Sequence, residues 1–570
     1  FMGAHNILDW DSIILKVLLY GRKCESGKQR DFYVRMRGCK EAQEALGKHL
    51  TDIFGVSYND DSKEKVAHIV KVFKYNVIVQ NLAPIAEDNY KQTRITDSVA
   101  LQHMNRILEL ALSKEKTTEA LTELFDELGS EVRDADIIRW YGTDANYYYL
   151  PEALCVPIIK TLLEEKIETE PTEVINRIEE LMLKHSDNSM MTAVMDYAVI
   201  VARLYEKALT LGSLTLNTAD EYVMRYESDY CFIDQYYRQA NETYFGIDPT
   251  CELFDAVQKV KRGLDQNYSK LCNRINLEWT RCLKETGGMD EVHLLRQYNF
   301  YDEKIKSVQK KVAVIVSDAF RYEVAQELIG ELAKSKHIAS LKPAIAMLPS
   351  ETKYCKPSLL PHRELKLYGK GEEQDMAVDD HILDTTQKRS EHLQAYRDGA
   401  VCVPFETVAE YNQEKNREIF KHPLVYIFHD VIDKTGHDGS AKQIVNSCRE
   451  AINELKKMIP KIHASYNVTE VYITSDHGFL FNDIMFADKD KHKIEEDCLE
   501  RSTRYYLTKS KDEVSGVVKF PLNEVSGMVN VDDVMVAVPM GTNRFAAPSG
   551  GYMFTHGGAA LQELIIPIIT

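Results

Sequence analysis

The chain reads as an α/β protein, a doubly wound, mostly parallel sheet preceded by a largely α-helical region. Three observations predict this. Residues 1–300 repeat apolar positions at three- and four-residue spacing with charges between them, the mark of amphipathic helices. Near Lys311 the pattern changes to short apolar, β-branched runs, each followed by a helical stretch. Those runs end on Asp- and His-containing turns, and ligands of open parallel sheets gather at the carboxyl ends of the strands.

The elements follow in order. In the first half, Glu119–Leu128 and Met190–Thr210 are clear helix patterns, with Gly129 and Gly212 standing where helices stop. The aromatic and basic segment from Tyr236-Tyr237-Arg238 to Tyr244-Phe245 has two readings, a partner or nucleic-acid surface and an amphipathic core helix, of which the second is the ordinary one. In the second half, Val312–Ser317 predicts a strand buried on both faces, followed by a helix over Glu323–Ala333. Leu424–Phe428 predicts a second strand, followed by a helix from Lys442 to Met458. Val471–Thr474 predicts a third. The stretch from Asp379-Asp380 to Arg389 is polar and helix-poor, as for an insert over the site or a solvated loop. The domain organisation expected is therefore a helical region over 1–300, with one or two subdomains and a scaffolding or partner-binding role, and a catalytic region over 301–570. The opening Phe1-Met2-Gly3 and the closing apolar run Leu564–Thr570 predict a segment of something longer, cut at both ends and so truncated at the C-terminus.

Composition narrows the function classes. At 570 residues and 44 % apolar content the chain can fill packed cores, which excludes disordered and collagen-like classes. No apolar run is long enough to span a bilayer, so no membrane association is expected. Eleven cysteines without a C-x-x-C pair predict reduced thiols, a cytoplasmic setting and no cysteine zinc site. With 70 Lys+Arg against 88 Asp+Glu, the net charge of −18 argues against a protein that coats nucleic acid. It leaves room for an enzyme that meets phosphate through bound metal ions.

The residues at the strand ends carry the chemistry. Asp318 follows the first run, Asp433 and His437 follow the second, Asp476-His477-Gly478 follows the third, and His556-Gly557-Gly558 precedes the terminal run. Any one of these is unremarkable, since an Asp after a strand is ordinarily a helix N-cap. Three carboxylates and three imidazoles gathered at one sheet edge suit zinc, with manganese or iron as alternatives, in numbers sufficient for two ions. Two such ions form a clamp for in-line displacement at phosphorus. The segment Met347–Tyr354 offers two candidate nucleophilic hydroxyls, Ser350 and Thr352.

Together these pieces resemble the alkaline phosphatase superfamily, and most closely its PglZ-domain branch. The matching motifs are Val316–Glu323, Leu348-Pro349-Ser350-Glu351-Thr352, Ile432-Asp433 with His437, Thr474–Phe479 and His556–Leu564, over about residues 300–570. The helical half is similar, more softly, to the region preceding this domain in PglZ proteins of BREX phage-defence systems. The resemblance implies one divalent ion, Zn2+ or Mn2+, on Asp433, His437 and His556, and a second on Asp318, Asp476 and His477. It implies Thr352 rather than Ser350 as nucleophile, and Arg321 beside the reacting anion, with Arg544 a second substrate-binding candidate. The implied activity is a phosphodiesterase acting on nucleotides or oligonucleotides within a defence system, with other defence proteins as partners. A phosphomonoesterase or a phosphomutase on the same fold is one rival. A defence-complex scaffold with a mainly structural metal site is another. A sulfatase is disfavoured because the Leu348–Thr352 segment lacks its nucleophile motif. The oligomeric state is left open.

Overall fold

The computed structural model describes residues 9–20, 38–57, 63–142, 152–184, 189–335, 337–370, 373–483, 491–546 and 553–570. The chain forms two compact units, one of residues 1–195 with 250–256, the other of 196–249 with 257–570. In the first unit the expected helices form. The Glu119–Leu128 pattern lies in a helix over Glu115–Leu128, whose Leu121, Leu124, Phe125 and Leu128 are buried. Phe73 meets Phe125 edge-on at 5.4 Å between ring centroids. Buried Asp88 accepts from the hydroxyls of Tyr75 (2.6 Å) and Tyr141 (2.7 Å), so a charge inside this unit has polar partners, as burial requires. No helix among the described residues is long and apolar enough to cross a membrane, and the cysteines among them are free thiols.

The second unit is built on a seven-stranded sheet. In chain order its strands are β1 (Leu295–Arg296), β2 (Val312–Ser317), β3 (Leu341–Ile345), β4 (Val401–Pro404), β5 (Leu424–His429), β6 (Glu470–Thr474) and β7 (Ile565–Ile569). Their spatial order is β1-β3-β7-β6-β2-β5-β4. The pairs β6-β2, β2-β5, β5-β4 and β1-β3 are parallel, and β7 runs antiparallel to both its neighbours. All six residues of β2 are buried, as its unbroken apolar run requires of a central strand. In register, Val316 lies beside Phe428 on one side and Thr474 on the other. The loops after β2, β5 and β6 therefore leave the sheet side by side.

Helices α1 (Cys231–Tyr244), α2 (Phe254–Thr286), α3 (Tyr322–Lys334), α4 (Thr352–Ser358), α5 (Val431–Gly436) and α6 (Ala441–Tyr466) surround the site. Ser440 caps α6 in a reciprocal box with Gln443, and Asn467 ends it in the left-handed conformation. Helices α3 and α6 pack on each other and α1 packs on both. So helices from the sequence's helical half belong to the same compact unit as the sheet, ahead of residue 301 where the sequence grammar changes. Tyr237 and Arg238 on α1 are buried, which decides that segment for core rather than surface. The Asp379–Arg389 stretch is non-helical as far as Thr385, and a helix over Thr386–Tyr396 begins at its end, after a three-stranded antiparallel sheet. Only Leu393 of that helix is buried, so it carries almost no apolar stripe for periodicity to reveal.

Candidate metal centre

Backbone geometry at the strand ends aims the acidic side chains. After β2 the chain turns through Ala319 at φ 57, a left-handed position unusual for a residue with a Cβ. The turn lets the Ala319 amide donate to Asp476 Oδ1 (3.1 Å), which also accepts from the His477 amide (3.0 Å). Ser475 Oγ accepts from the Phe320 amide (2.8 Å) and donates to the His477 carbonyl (2.6 Å). Gln297 Nε2 reaches the Ser475 carbonyl (3.2 Å), and the Gln297 carbonyl oxygen Oε1 accepts from the Met347 amide (3.3 Å). The β2 and β6 loops are thereby held to each other and to the chain entering the Ser350–Thr352 segment. Gly478 is needed where it stands, since a Cβ there would lie 2.0 Å from the Gln562 carbonyl oxygen.

Two groups of ligand atoms result, Asp318, Asp476 and His477, and Asp433, His477 and His556, each with its atoms within 4.8 Å of one another. His477 is common to both groups. The sequence assigned it to one ion alone and placed His437 with the other. Instead His437 stands outside both groups, with its side chain 57 % exposed and its Nε2 3.5 Å from Asp433 Oδ2. Its ring lies 5.3 Å from that of His556, which stacks on His477 at 4.2 Å.

The electrostatics are those of a site that wants a cation. His477 Nδ1 pairs with the Gly478 carbonyl (3.0 Å), which assigns the proton to Nδ1 and leaves the Nε2 lone pair facing the cluster. Burial, with the neighbouring His556, pushes the His477 imidazole down to about 4. Burial alone would raise the Asp433 carboxyl, but His437, His556 and His477 outweigh it and hold the group well below the carboxylate range. Burial and the adjoining Asp318 push Asp476 up.

The fit to a metal ion can be tested on atoms. Asp318 Oδ1, Asp433 Oδ1, Asp476 Oδ2 and His556 Nδ1 are buried and form no hydrogen bond. Buried polar atoms are rarely left so. The spacings are 3.6 Å from His477 Nε2 to Asp318 Oδ1, 3.7 Å from His477 Nε2 to Asp476 Oδ2, and 3.6 Å from His556 Nε2 to Asp433 Oδ1. These are too long for hydrogen bonds. Ligands about 2.0–2.2 Å from a tetrahedral zinc ion lie roughly 3.3–3.6 Å from one another. The three spacings lie at or just beyond the upper end of that range, and the donor types suit a divalent ion.

The two candidate hydroxyls separate cleanly. Thr352 Oγ1 lies 2.9 Å from His477 Nε2, at the shared corner of both groups. Ser350 is fully buried and faces the backbone instead, donating to the Gly558 carbonyl (2.8 Å) and accepting from the Gly557 amide (3.2 Å). It clasps the Thr352 segment to the loop that carries His556. Gly557 sits at φ +108, and a Cβ there would meet the Tyr505 ring at 2.7 Å.

The two arginines are placed otherwise than expected. Arg321 is 1 % exposed, and its guanidinium pairs with Asp234 on α1 at 3.1 Å rather than with a substrate oxygen. Asp234 also accepts from Tyr268 (2.7 Å) and from Gln562 (3.2 Å), so the arginine belongs to a buried network tying α1 and α2 to the terminal motif. Arg544 is also buried, donating to the Thr542 carbonyl (2.8 Å). Burial and the nearby Arg504 lower its pKa to about 9. Both were read as anion-binding from their place beside motifs, and both are interior, Arg321 against an acid distant in sequence and Arg544 against a carbonyl two residues away. Arg504 itself holds Glu563 with two hydrogen bonds (2.9 and 2.7 Å), and Glu563 accepts from the Gly558 and Ala560 amides.

Sequence reasoning missed Lys356 and Glu351. Lys356 Nζ bonds Asp318 Oδ2, and Glu351 Oε2 lies 3.5 Å from His556 Nδ1. Burial works against the charge on Lys356, but Asp318 and Asp476 raise its pKa on balance. The available signal was a charge inside the otherwise uncharged run Tyr354–Leu360, four residues from Thr352 and hence on its helix face.

Residues 300–570 match the family model of the BREX system PglZ alkaline phosphatase-like domain. The chain is 26 % identical over 381 residues to the alkaline phosphatase-like protein PglZ of Bacillus cereus (strain H3081.97), covering 64 % of this chain and 43 % of that protein. It is 30 % identical over 285 residues to the alkaline phosphatase-like protein BrxZ of Escherichia coli O9:H4 (strain HS), covering 48 % of this chain and 32 % of that one. The chain thus spans less than half the length of these relatives. Among solved structures, murine ectonucleotide pyrophosphatase / phosphodiesterase 5, as an inactive form in complex with AMP, aligns with a TM-score of 0.31 at 12 % identity, over 46 % of this chain and 88 % of that one.

Proposed function

We propose, because residues 300–570 match the family model of the BREX system PglZ alkaline phosphatase-like domain, that this chain is a metal-dependent phosphoesterase of a BREX-like phage-defence system. We infer a phosphodiesterase acting on nucleotides or oligonucleotides, with Thr352 as nucleophile. Asp433, His556 and the adjacent His437 would hold one divalent ion, and Asp318, Asp476 and His477 the other, zinc being the ion that this mix of carboxylate and imidazole suits. The observation that carries the reading is the set of three buried carboxylate oxygens without hydrogen bonds, gathered with the imidazoles of His477 and His556 beside the Thr352 hydroxyl. The family description and the names of both relatives, alkaline phosphatase-like in each case, support it.

Bound there, the ions supply stabilisation of negative charge on the attacking and leaving oxygens. The chain's own residues do the rest. Thr352 Oγ1 lies 2.9 Å from His477 Nε2, beside the atoms that would hold the ions; with its lone pair on an ion, Nε2 would no longer accept from that hydroxyl. Its oxygen attacks phosphorus as its proton passes to solvent, the ester P–O bond opposite it breaks and the leaving oxygen takes a proton from water. Water then breaks the phosphothreonine P–O bond in a second displacement, which regenerates the threonine hydroxyl and releases a phosphomonoester. Ser350 keeps the segment in register with His556 without touching the reaction.

The test combines elemental analysis of the zinc-loaded protein with assays on bis- and mono-nitrophenyl phosphate. Two ions per chain are expected, with Thr352→Ala reducing diester hydrolysis by at least about a hundredfold. Ser350→Ala should retain the activity of whatever fraction folds. Less than one ion per chain, or undiminished diesterase activity in Thr352→Ala, would sink the reading. Faster turnover of the monoester would move it to a phosphomonoesterase.

A further inference from the structure

Lys356 lies one helical turn beyond Thr352 on α4, with its side chain only 11 % exposed. Its ammonium bonds Asp318 Oδ2, leaving Asp318 Oδ1 without a hydrogen bond, 3.6 Å from His477 Nε2. Asp476 is divided the same way. Its Oδ1 is filled by two backbone amides, and its Oδ2 is open, 3.7 Å from His477 Nε2. The lysine is therefore not seated among the open ligand atoms. It and the seat they outline use different oxygens of Asp318.

The formal charges differ between the two seats. One contains a single carboxylate, Asp433, and the other contains two, Asp318 and Asp476. Lys356 adds one positive charge beside the second seat alone, whereas Glu351, 3.5 Å from His556 Nδ1, adds a carboxylate beside the first. A buried cation beside a cation site opposes occupancy, because like charges are poorly screened there. Held at Oδ2, Asp318 also presents a single oxygen, and a two-oxygen grip is denied to the ion.

We propose that Lys356 is a positioning residue that makes the ion at Asp318, Asp476 and His477 the weaker and more exchangeable of the two. This rests on the two-ion reading above and goes beyond it by assigning the two seats different affinities and naming the residue that sets the difference. The chelator-stripped full chain, titrated calorimetrically with zinc at fixed pH, tests it. Wild type should show two binding events, the weaker at least tenfold below the tighter. Lys356→Met should tighten the weaker event at least tenfold and leave the other within threefold, and Lys356→Arg should restore the wild-type gap. Should the Met variant fail a circular-dichroism check of folding, Lys356→Gln is titrated in its place, with the same expectation. A weaker event unchanged or loosened in the neutral variant, or an Arg variant that behaves like Met, overturns the inference and leaves the proposed function standing. Uptake of fewer than two ions by wild type removes both.

Discussion

Two buried clusters of charge lie in the same compact unit, and they solve the same problem in opposite ways. Around Arg238, Glu323 accepts two hydrogen bonds from one guanidinium (2.9 Å each), Glu327 accepts from Arg238 and at 2.5 Å from Arg449, and Arg449 also holds Glu242 at 2.8 Å. Every carboxylate there is answered by a covalently attached cation. In the Asp/His cluster, three carboxylates share one ammonium and several imidazoles, and oxygens of all three stay without a hydrogen bond. Arginine is permanent, planar and always charged, which suits a cluster that must never open. Imidazoles with free lone pairs suit a cation that arrives separately. The difference teaches that the compensation, rather than the burial, marks the functional site.

The comparison breaks most visibly at Arg238. Arg238→Met should leave Glu323 without its bidentate partner and Glu327 with Arg449 alone, and cost about 3–5 kcal/mol of unfolding free energy. Urea denaturation of the chelated protein measures it, and a loss under about 1 kcal/mol would mean the arginine cluster is no more committed than the metal site. The variant should be destabilised whether or not zinc is present.

The Asp/His cluster should respond to metal instead. Zinc at a hundredfold excess over its dissociation constant should raise stability by about 2.7 kcal/mol for a single site, from mass action alone. Asp433→Asn should lose most of that gain, because it removes one of the open ligand oxygens. Thermal melts with and without zinc distinguish the outcomes. An Asp433→Asn protein that gains as much from zinc as wild type would remove Asp433 from the ligand set.

Much of this was legible in the sequence, and the boundary of legibility is physical. The run Val312–Ser317 announces a central strand because both its faces are buried, and Asp318 and Asp476 announce a site because a sheet edge concentrates whatever follows its strands. The roles of Arg321, Ser350 and Lys356 were not legible. Each is set by a partner distant in sequence, respectively Asp234, the Gly557-Gly558 backbone and Asp318. Periodicity told which face of α1 is apolar, but it carries no information about what that face meets. Hence the helices before residue 301 read as a separate region, although they share a compact unit with the sheet. The sharing of His477 between two ligand groups was equally hidden, since spacing along the chain does not say which side of a ring faces which carboxylate.

Glu331 supplies the reference against which both clusters are sharpened, being a carboxylate with two lysine partners in largely open surroundings. It accepts from Lys334 and Lys456, each at 2.6 Å, and these bonds lower its pKa to about 2. A depressed carboxylate stabilises the fold above its unfolded value of 4.5, and the contribution fades as pH falls from there through about 2. Solvent screens these pairs, so Glu331→Gln should cost less than about 1 kcal/mol at neutral pH. The cost should shrink further in high salt and shrink as pH falls below 4.5. Urea titrations of wild type and variant at pH 7 and pH 3, with and without added salt, measure it. If Glu331→Gln instead cost as much as Arg238→Met and ignored salt, ion pairing itself would set the scale of these effects. The distinction between a cluster sealed by arginine and one left open for metal would then lose its energetic basis.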